Sequence, residues 1–338
     1  MKLGNKVCMV ILSIMLVLSF SLSAAAKEPV TVSLVSAPFG TGQYSLATAI
    51  ENISRKNHPW LRVSVTESPG LVYNIKKMEL DPQFKKDTIT ICDDTMLWFA
   101  HEGKAPLPKP MGKDVKILAY SHGPVVWLAS LNPDIKKLKD LAGKKAAIGT
   151  KAQITWGLLI NWVVDIGAGL KGKVDYQWVG LEPARRAVLD GMADAMPVGV
   201  YLNTVDYQNT LNGQTRELLA SRKKIYHLSV PQKDTTRMSK ALNHEFKSVV
   251  IPAGKMQGID QEIRGVWGGG NFWCVSEKFS EDLAYEFTKL LIDNCGKLKD
   301  YHALGALTAR PEVLCEGTTP KTLHPGAYRA YKEAGLMK

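Results

Sequence analysis

The chain has 338 residues, is 45% hydrophobic and 22% charged, and carries 43 basic against 32 acidic side chains for a formal charge of +11. That apolar content is enough for a sizeable core. The basic residues are scattered over helix faces with no recognised module or interleaved stacking motif, which argues against a nucleic-acid partner and leaves solvated surface, or attraction of anionic solutes, as the reading of the charge.

Residues 1–26 read as an export leader. Lys2 and Lys6 precede an apolar run over 7–22, and Ser23, Ala24, Ala25 and Ala26 supply an A-x-A cleavage site before Lys27. A run of roughly 16 apolar residues falls short of the ~20 needed to span a bilayer, so an uncleaved anchor is the weaker reading. Removing 26 residues and two lysines from the 338-residue chain leaves 312 residues at +9. A periplasmic protein of about two domains, at roughly 150 residues each, is expected.

An alternating strand (Val30, Val32, Leu34) then runs into Ala37-Pro38-Phe39-Gly40-Thr41-Gly42-Gln43-Tyr44-Ser45 and a helix with Leu46, Ala49, Ile50 and Ile53 on one face. Gly40 and Gly42 let this turn approach a bound group closely. The N–H groups opening the helix favour a carboxylate or phosphate. A strand over 62–66, a helix over 71–80, a strand holding Ile89 and Ile91 and a helix over 95–100 follow, which is an α/β order implying a parallel sheet with right-handed crossovers. The proline-rich stretch 104–110 reads as a surface loop. In 115–130 two apolar stretches are interrupted by Ser121-His122-Gly123-Pro124, as expected of a strand leaving one domain for another, and the hinge is placed there.

A second α/β set has a helix over 134–142, a strand over 145–148 and the loop Gly149-Thr150-Lys151-Ala152-Gln153-Ile154-Thr155 before a helix bearing Trp156, Leu159, Ile160 and Val163. A strand over 176–179, a helix over 183–191, a strand over 195–198 and a loop over 199–204 continue it. Segments 249–252 and 271–275 read as the return into the first domain, and a helix over 281–292 turns Leu283, Phe287, Leu290 and Leu291 inward. The expected boundaries are 27–123 plus 250–338 for lobe I and 124–249 for lobe II. Cys92 and Cys274 sit in strand-like runs as buried thiols. Cys295 and Cys315 flank one segment in an oxidising compartment, where a disulfide and two free thiols are the alternatives.

Taken in order, several motifs resemble the TAXI-type solute-binding proteins of TRAP transporters, a branch of the type II periplasmic-binding fold. They are Gly40-Thr41-Gly42 with Tyr44, the stretch Ile135 to Lys145 with its Asp140-Leu141-Ala142-Gly143-Lys144 core, Leu189-Asp190-Gly191 with Ala193-Asp194-Ala195, Ile251-Pro252-Ala253-Gly254, and Leu323-His324-Pro325-Gly326-Ala327 with Tyr331-Lys332-Glu333. The resemblance covers essentially the whole mature chain. It implies an α/β two-lobe architecture, each lobe a mostly parallel sheet flanked by helices, closing on a small solute for delivery to a sodium-driven membrane permease. Where the family commonly reads Pro-Gly-Ser-Gly-Thr, this chain has Lys151-Ala152-Gln153-Ile154-Thr155, so the pocket is expected to be narrower and chemically different. Met256 replaces a usual aromatic residue. The ligand class implied is a small carboxylate or amino acid.

The residues alone point to the same place, because ligands of open parallel sheets bind beyond the carboxyl ends of the strands. The expected ligand-binding set is Gly40, Thr41, Gly42, Gln43, Tyr44 and Ser45 from the first turn; Asp93, Asp94, Thr95 and Ser121 from the next strand ends; Thr150, Lys151, Gln153, Ile154, Thr155 and Trp156 from the second turn; and Gly199 and Tyr201. Lys151 is a candidate partner for a carboxylate and Asp93 or Asp94 for an amine; solvated lysine and helix capping are the plainer alternatives. No nucleophile elbow, phosphate loop or zinc helix is present, and His58, His122, His227, His302 and His324 lack ligand spacing. The expectation is a monomeric receptor, not an enzyme, with no cofactor and no metal. Gly40-x-Gly42 with Ser45 where a dinucleotide fingerprint wants glycine leaves an exported nucleotide-cofactor enzyme as the alternative, and a receptor serving a membrane sensor as another.

Overall fold

The computed structural model describes residues 27–338 apart from 105, 108, 204, 206, 207 and 257, so the leader expected over 1–26 lies outside the described residues. Strand β1 (Val30–Val35) buries Val32 and Leu34 and pairs in parallel with β2 (Leu61–Thr66) on one side and β3 (Thr88–Asp93) on the other. Helix α1 (Gly42–Asn57) lays Leu46, Ala49, Ile50 and Ile53 inward, the stripe its spacing predicts. Helices α2 (Leu71–Leu80) and α3 (Pro82–Asp87) follow; α3 opens on Asp81, which accepts the N–H groups of Gln83 and Phe84, with Pro82 at the first helical position. Helix α4 (Asp94–Glu102) stops at Gly103, whose φ of 62° is left-handed.

Strand β4 (Val115–Ser130) leads to the second set: β5 (Lys145–Ile148), the helical segment α5 (154–167), β6 (Asp175–Trp178), α6 (Leu181–Leu189), β7 (Ala195–Leu202), β8 (Asn209–Leu211), α7 (Gly213–Ala220), β9 (Tyr226–Leu228), α8 (Gln232–Leu242), β10 (Ser248–Ile251) and β11 (Ile263–Trp267). β12 (Asn271–Ser276), α9 (Glu281–Asn294) and α10 (Pro325–Glu333) return to the first. The helix expected over 134–142 is only a single tight turn, Leu138–Leu141. Asp140 accepts the N–H groups of Lys136 and Lys137 and closes the chain on itself before a helix can start.

The main sheet path runs β2-β1-β3-β12-β4-β7-β5-β6. It is mixed, because the strands that cross between lobes run antiparallel to their neighbours. β4 runs unbroken through residues 121–124, as expected of a strand leaving one domain for another: up to His122 it pairs with β12, and from Gly123 onward with β7. Gly123 is required at the change of partner, since a Cβ there would fall 1.7 Å from the Trp267 ring. Two apolar clusters flank this crossing. One gathers Leu34, Ile50, Trp273, Phe287 and Tyr331, the other Trp127, Ile148, Leu159 and Val198. Ile251, Ile263 and Val266 belong to the second cluster and β11 pairs with Val125 and Val126, so β10 and β11 sit with the second lobe, unlike the boundary expected at residue 250. The chain re-enters the first cluster after the glycine run 268–270.

All four described cysteines are free thiols. The bridge weighed between Cys295 and Cys315 is not formed: the Cys295 thiol donates to the Ala309 carbonyl at 3.4 Å and the Cys315 thiol to that of Glu312 at 3.3 Å. Among the described residues no helix is long and apolar enough to cross a membrane.

Candidate functional site

Thr41 fixes the first turn. Its backbone is extended, its hydroxyl donates to the Pro38 carbonyl at 2.7 Å and accepts the Tyr44 N–H, and Gly40 before it takes a φ of 79°. The Gly42 and Gln43 N–H groups that open α1 meet no acceptor among the described residues. In the second lobe the turn after β5 is tied to its own helix: the Gly149 N–H donates to the Trp156 carbonyl at 2.9 Å, and the Thr150 N–H donates to Gln153 Oε1 at 2.9 Å. α5 starts with a wide, π-type turn, Ile154–Leu158, and the N–H groups of Ile154 and Thr155 likewise meet no acceptor among the described residues.

These two helix starts share one cavity. Thr41 and Gln43 line an inner compartment of about 60 Å³ together with Gln153, Ile154, Thr155 and Trp156, and Tyr201 forms part of its wall. It opens past Pro38, Thr41 and Gln153 into an outer compartment of about 500 Å³ at the cleft mouth. Gln43 is 6% exposed, and its Nε2 has no hydrogen-bond partner. Its Oε1 accepts the Ser121 hydroxyl at 3.3 Å, and Ser121 Oγ also lies 2.9 Å from His122 Nδ1. Burial pushes the His122 imidazole down to about 3, aided by His302, so it lines the inner compartment as a neutral ring at physiological pH. The ring meets Tyr201 edge-on at 4.6 Å.

The remaining expected residues are distributed as follows. Thr150 lines the mouth. Gly42 faces Leu304 and Tyr201, Gly40 accepts the Gln214 amide across the cleft at 3.4 Å, and Ser45 donates to Thr41 within α1. Tyr44 packs edge-on against Phe39 at 5.4 Å behind the mouth. Ser121 and Gly199 lie inside strands, not in loops; Ser121 supports Gln43, and the Gly199 N–H donates to Thr215. Lys151 is exposed, its Nζ 5.5 Å from the Trp178 ring centre, and is no cavity wall. Asp93, Asp94 and Thr95 are also absent from both compartments. Asp93 caps α4 by accepting the Met96 N–H, Thr95 donates to Asp94, and Asp94 accepts the Gly270 N–H at 3.2 Å beside a separate hollow with Trp98 and Trp267. Capping, the plainer alternative, is what Asp93 does.

Burial, helped by the neighbouring Asp94 charge, raises the Asp93 carboxyl well above the carboxylate range. The native state therefore keeps a proton that the unfolded chain gives up above about pH 4, and stability contributed by this group falls as pH rises from there toward the raised native value. Each pH unit in that window costs about 1.4 kcal/mol. Asp93→Asn keeps the capping oxygen and never ionises. It is expected to melt higher than the parent at pH 7 with the difference shrinking toward pH 4, and melting curves displaced by a constant amount across pH 4–8 would contradict this.

His122 and Asn271 in the inner compartment, and Glu67, Val179, Glu182 and Gln214 at the mouth, lie outside the ligand-binding set expected from the sequence. Residues 179–183 follow strand β6, so the strand-end rule could have found them. Gln214 lies in a stretch whose elements are short and weakly patterned.

Two α/β lobes joined through shared strands, with strand-end turns of both enclosing one cavity, are the architecture of the two-lobe periplasmic binding proteins. A solved periplasmic transporter superposes with a TM-score of 0.52 at 15% identity, over 90% of this chain and 95% of that one. MatC of Rhodopseudomonas palustris, solved with bound malate, superposes with a TM-score of 0.52 at 14% identity, over 92% of this chain and all of that one. A profile of the NMT1-like family matches residues 34–335, and the chain belongs to that family.

Proposed function

We propose that this protein is an extracytoplasmic receptor of the TAXI branch that captures a small organic anion or amino acid between its lobes and hands it to a TRAP-type permease. The observation that carries the reading is the Gln43 amide, buried with an unpartnered Nε2 at the junction of two open helix starts. A buried donor without an acceptor is costly, and a ligand oxygen would satisfy it. Helix-opening N–H groups and the positive dipole end add attraction for a carboxylate. The bound malate of MatC fits the same ligand chemistry. The sequence motifs named above support the TAXI and TRAP assignment, and the leader motif over 1–26 supports export to the periplasm. The packing of β10 and β11 on the second cluster supports a division into lobe I, 27–122 plus 271–338, and lobe II, 123–267.

A panel of small carboxylates and amino acids screened by thermal shift tests this. At 100 times its dissociation constant a ligand is expected to add about 2.7 kcal/mol to native stability. Nicotinamide dinucleotides are expected to add nothing. A shift with those and with no carboxylate or amino acid would overturn the receptor reading.

A further inference from the structure

The charge inventory of the two compartments narrows the ligand class. The inner compartment presents donors from Gln43 and from the start of α1, the neutral His122, and otherwise uncharged walls that include Ile91, Ile154 and Trp156. No side chain lining it carries a full charge of either sign. At about 60 Å³ it has room for a carboxylate, since a single water needs about 10–15 Å³ on the same measure. The mouth is different. Its apolar surface comes from Phe39, which is 78% exposed, Val179, which is 41% exposed, the buried Leu181, and Pro38, Pro69 and Pro183. Among the described residues that line it, the only charged side chains are the carboxylates Glu67 and Glu182. The guanidinium groups behind it are committed: Arg185 binds Glu182 at 2.6 Å and Glu217 at 2.9 Å, and Arg186 binds Glu182 at 2.9 Å.

Resting on the receptor reading above, we infer that the ligand is a monocarboxylate with an uncharged, apolar body, held carboxylate-inward, and neither a dicarboxylate nor an α-amino acid. A carboxylate can be carried by N–H and amide donors alone when several converge on it. A second carboxylate would emerge at the mouth, where it meets Glu67 and no free cation, and like charges at short range disfavour each other. An α-ammonium fails at the other end. It would sit beside the inner carboxylate with no side-chain anion to pair with, and an unpaired buried charge is expensive. An apolar body, by contrast, gains by covering Phe39, Val179 and Leu181.

The experiment is titration calorimetry of the mature chain with three probes of similar length: 4-methylpentanoate, its amino-acid counterpart leucine, and the dicarboxylate glutarate. 4-Methylpentanoate is expected to bind at least tenfold more tightly than either of the others. In Glu67→Gln, whose amide oxygen can still accept the Phe39 N–H that Glu67 takes at 3.1 Å, the ratio between 4-methylpentanoate and glutarate is expected to narrow severalfold because glutarate gains. Leucine or glutarate binding as tightly as 4-methylpentanoate overturns the ligand class while leaving a carboxylate receptor in place. An unchanged ratio in Glu67→Gln overturns the role given to the mouth. Binding of none of the three overturns the carboxylate reading and the class with it.

Discussion

Gly157→Ala is expected to lose about 1–3 kcal/mol of stability and most of the ligand affinity together. The added Cβ would stand 2.3 Å from the Thr150 carbonyl oxygen and 2.9 Å from that of Gly149. Both obstacles are backbone, so no rotamer change relieves them. The turn they belong to is held against α5 by the Gly149–Trp156 and Gln153–Thr150 backbone bonds, each 2.9 Å, and it carries Gln153 to the cavity wall. Pushing it outward moves Gln153, Ile154 and Thr155 away from Thr41 and Gln43. Gly40→Ala is the contrast. Its φ of 79° makes a side chain strained by about 1 kcal/mol, but a Cβ there meets nothing within 4 Å. Denaturant melts with ligand titrations of both variants read the difference, and a Gly157→Ala protein as stable as the parent would remove the close-approach explanation.

The repeating order of strand, turn and helix was legible because each element's apolar pattern is local: Leu46, Ala49, Ile50 and Ile53 on α1, and Leu159, Ile160 and Val163 on α5, sit inward as their spacing says. What a local pattern cannot carry is a choice of neighbour. In Ser121-His122-Gly123-Pro124 two polar residues, a glycine and a proline interrupt an apolar run, a pattern that marks a strand passing between domains without saying which neighbours it takes. In the fold that stretch is the middle of one 16-residue strand, where Gly123 admits the Trp267 ring, His122 lines the inner compartment and Ser121 donates to Gln43 behind it. The same limit explains β10 and β11, which read as a return to the first lobe yet complete the second core through Ile251, Ile263 and Val266.

The cavity itself was half legible. Thr41, Gln43 and the Gln153-to-Trp156 run come to it because strand-end turns of both lobes must face the cleft. Charged candidates did not. Lys151 is the neighbour in sequence of Thr150, which lines the mouth, but which side of a turn a side chain takes depends on backbone geometry that composition does not encode. Asp93 had a local alternative, and the bond to the Met96 N–H at the start of α4 won. The site that results is poorer in charge than the sequence led one to expect. Gln43 and Gln153 also differ in a way that their shared residue type conceals: Gln153 spends its oxygen on the Thr150 N–H, whereas Gln43 holds a buried donor in reserve.

That difference predicts opposite behaviour on substitution. Gln43→Met, which keeps length and volume, is expected to weaken ligand binding by about 1–3 kcal/mol, roughly 5- to 150-fold in dissociation constant, because the ligand oxygen loses its buried partner. The empty protein should not suffer. It loses an unpartnered amide nitrogen whose burial was a cost, and the Ser121 hydroxyl released from Gln43 Oε1 still has His122 Nδ1 at 2.9 Å. Apo stability should therefore hold or rise by up to about 1 kcal/mol. Gln153→Met should instead lose stability as well as affinity, since the Thr150 N–H is left without its acceptor. Calorimetric titration and thermal melts of the two variants separate the roles. A Gln43→Met protein that melts lower than the parent and binds as before would make Gln43 a strut between α1 and β4, with the ligand held elsewhere.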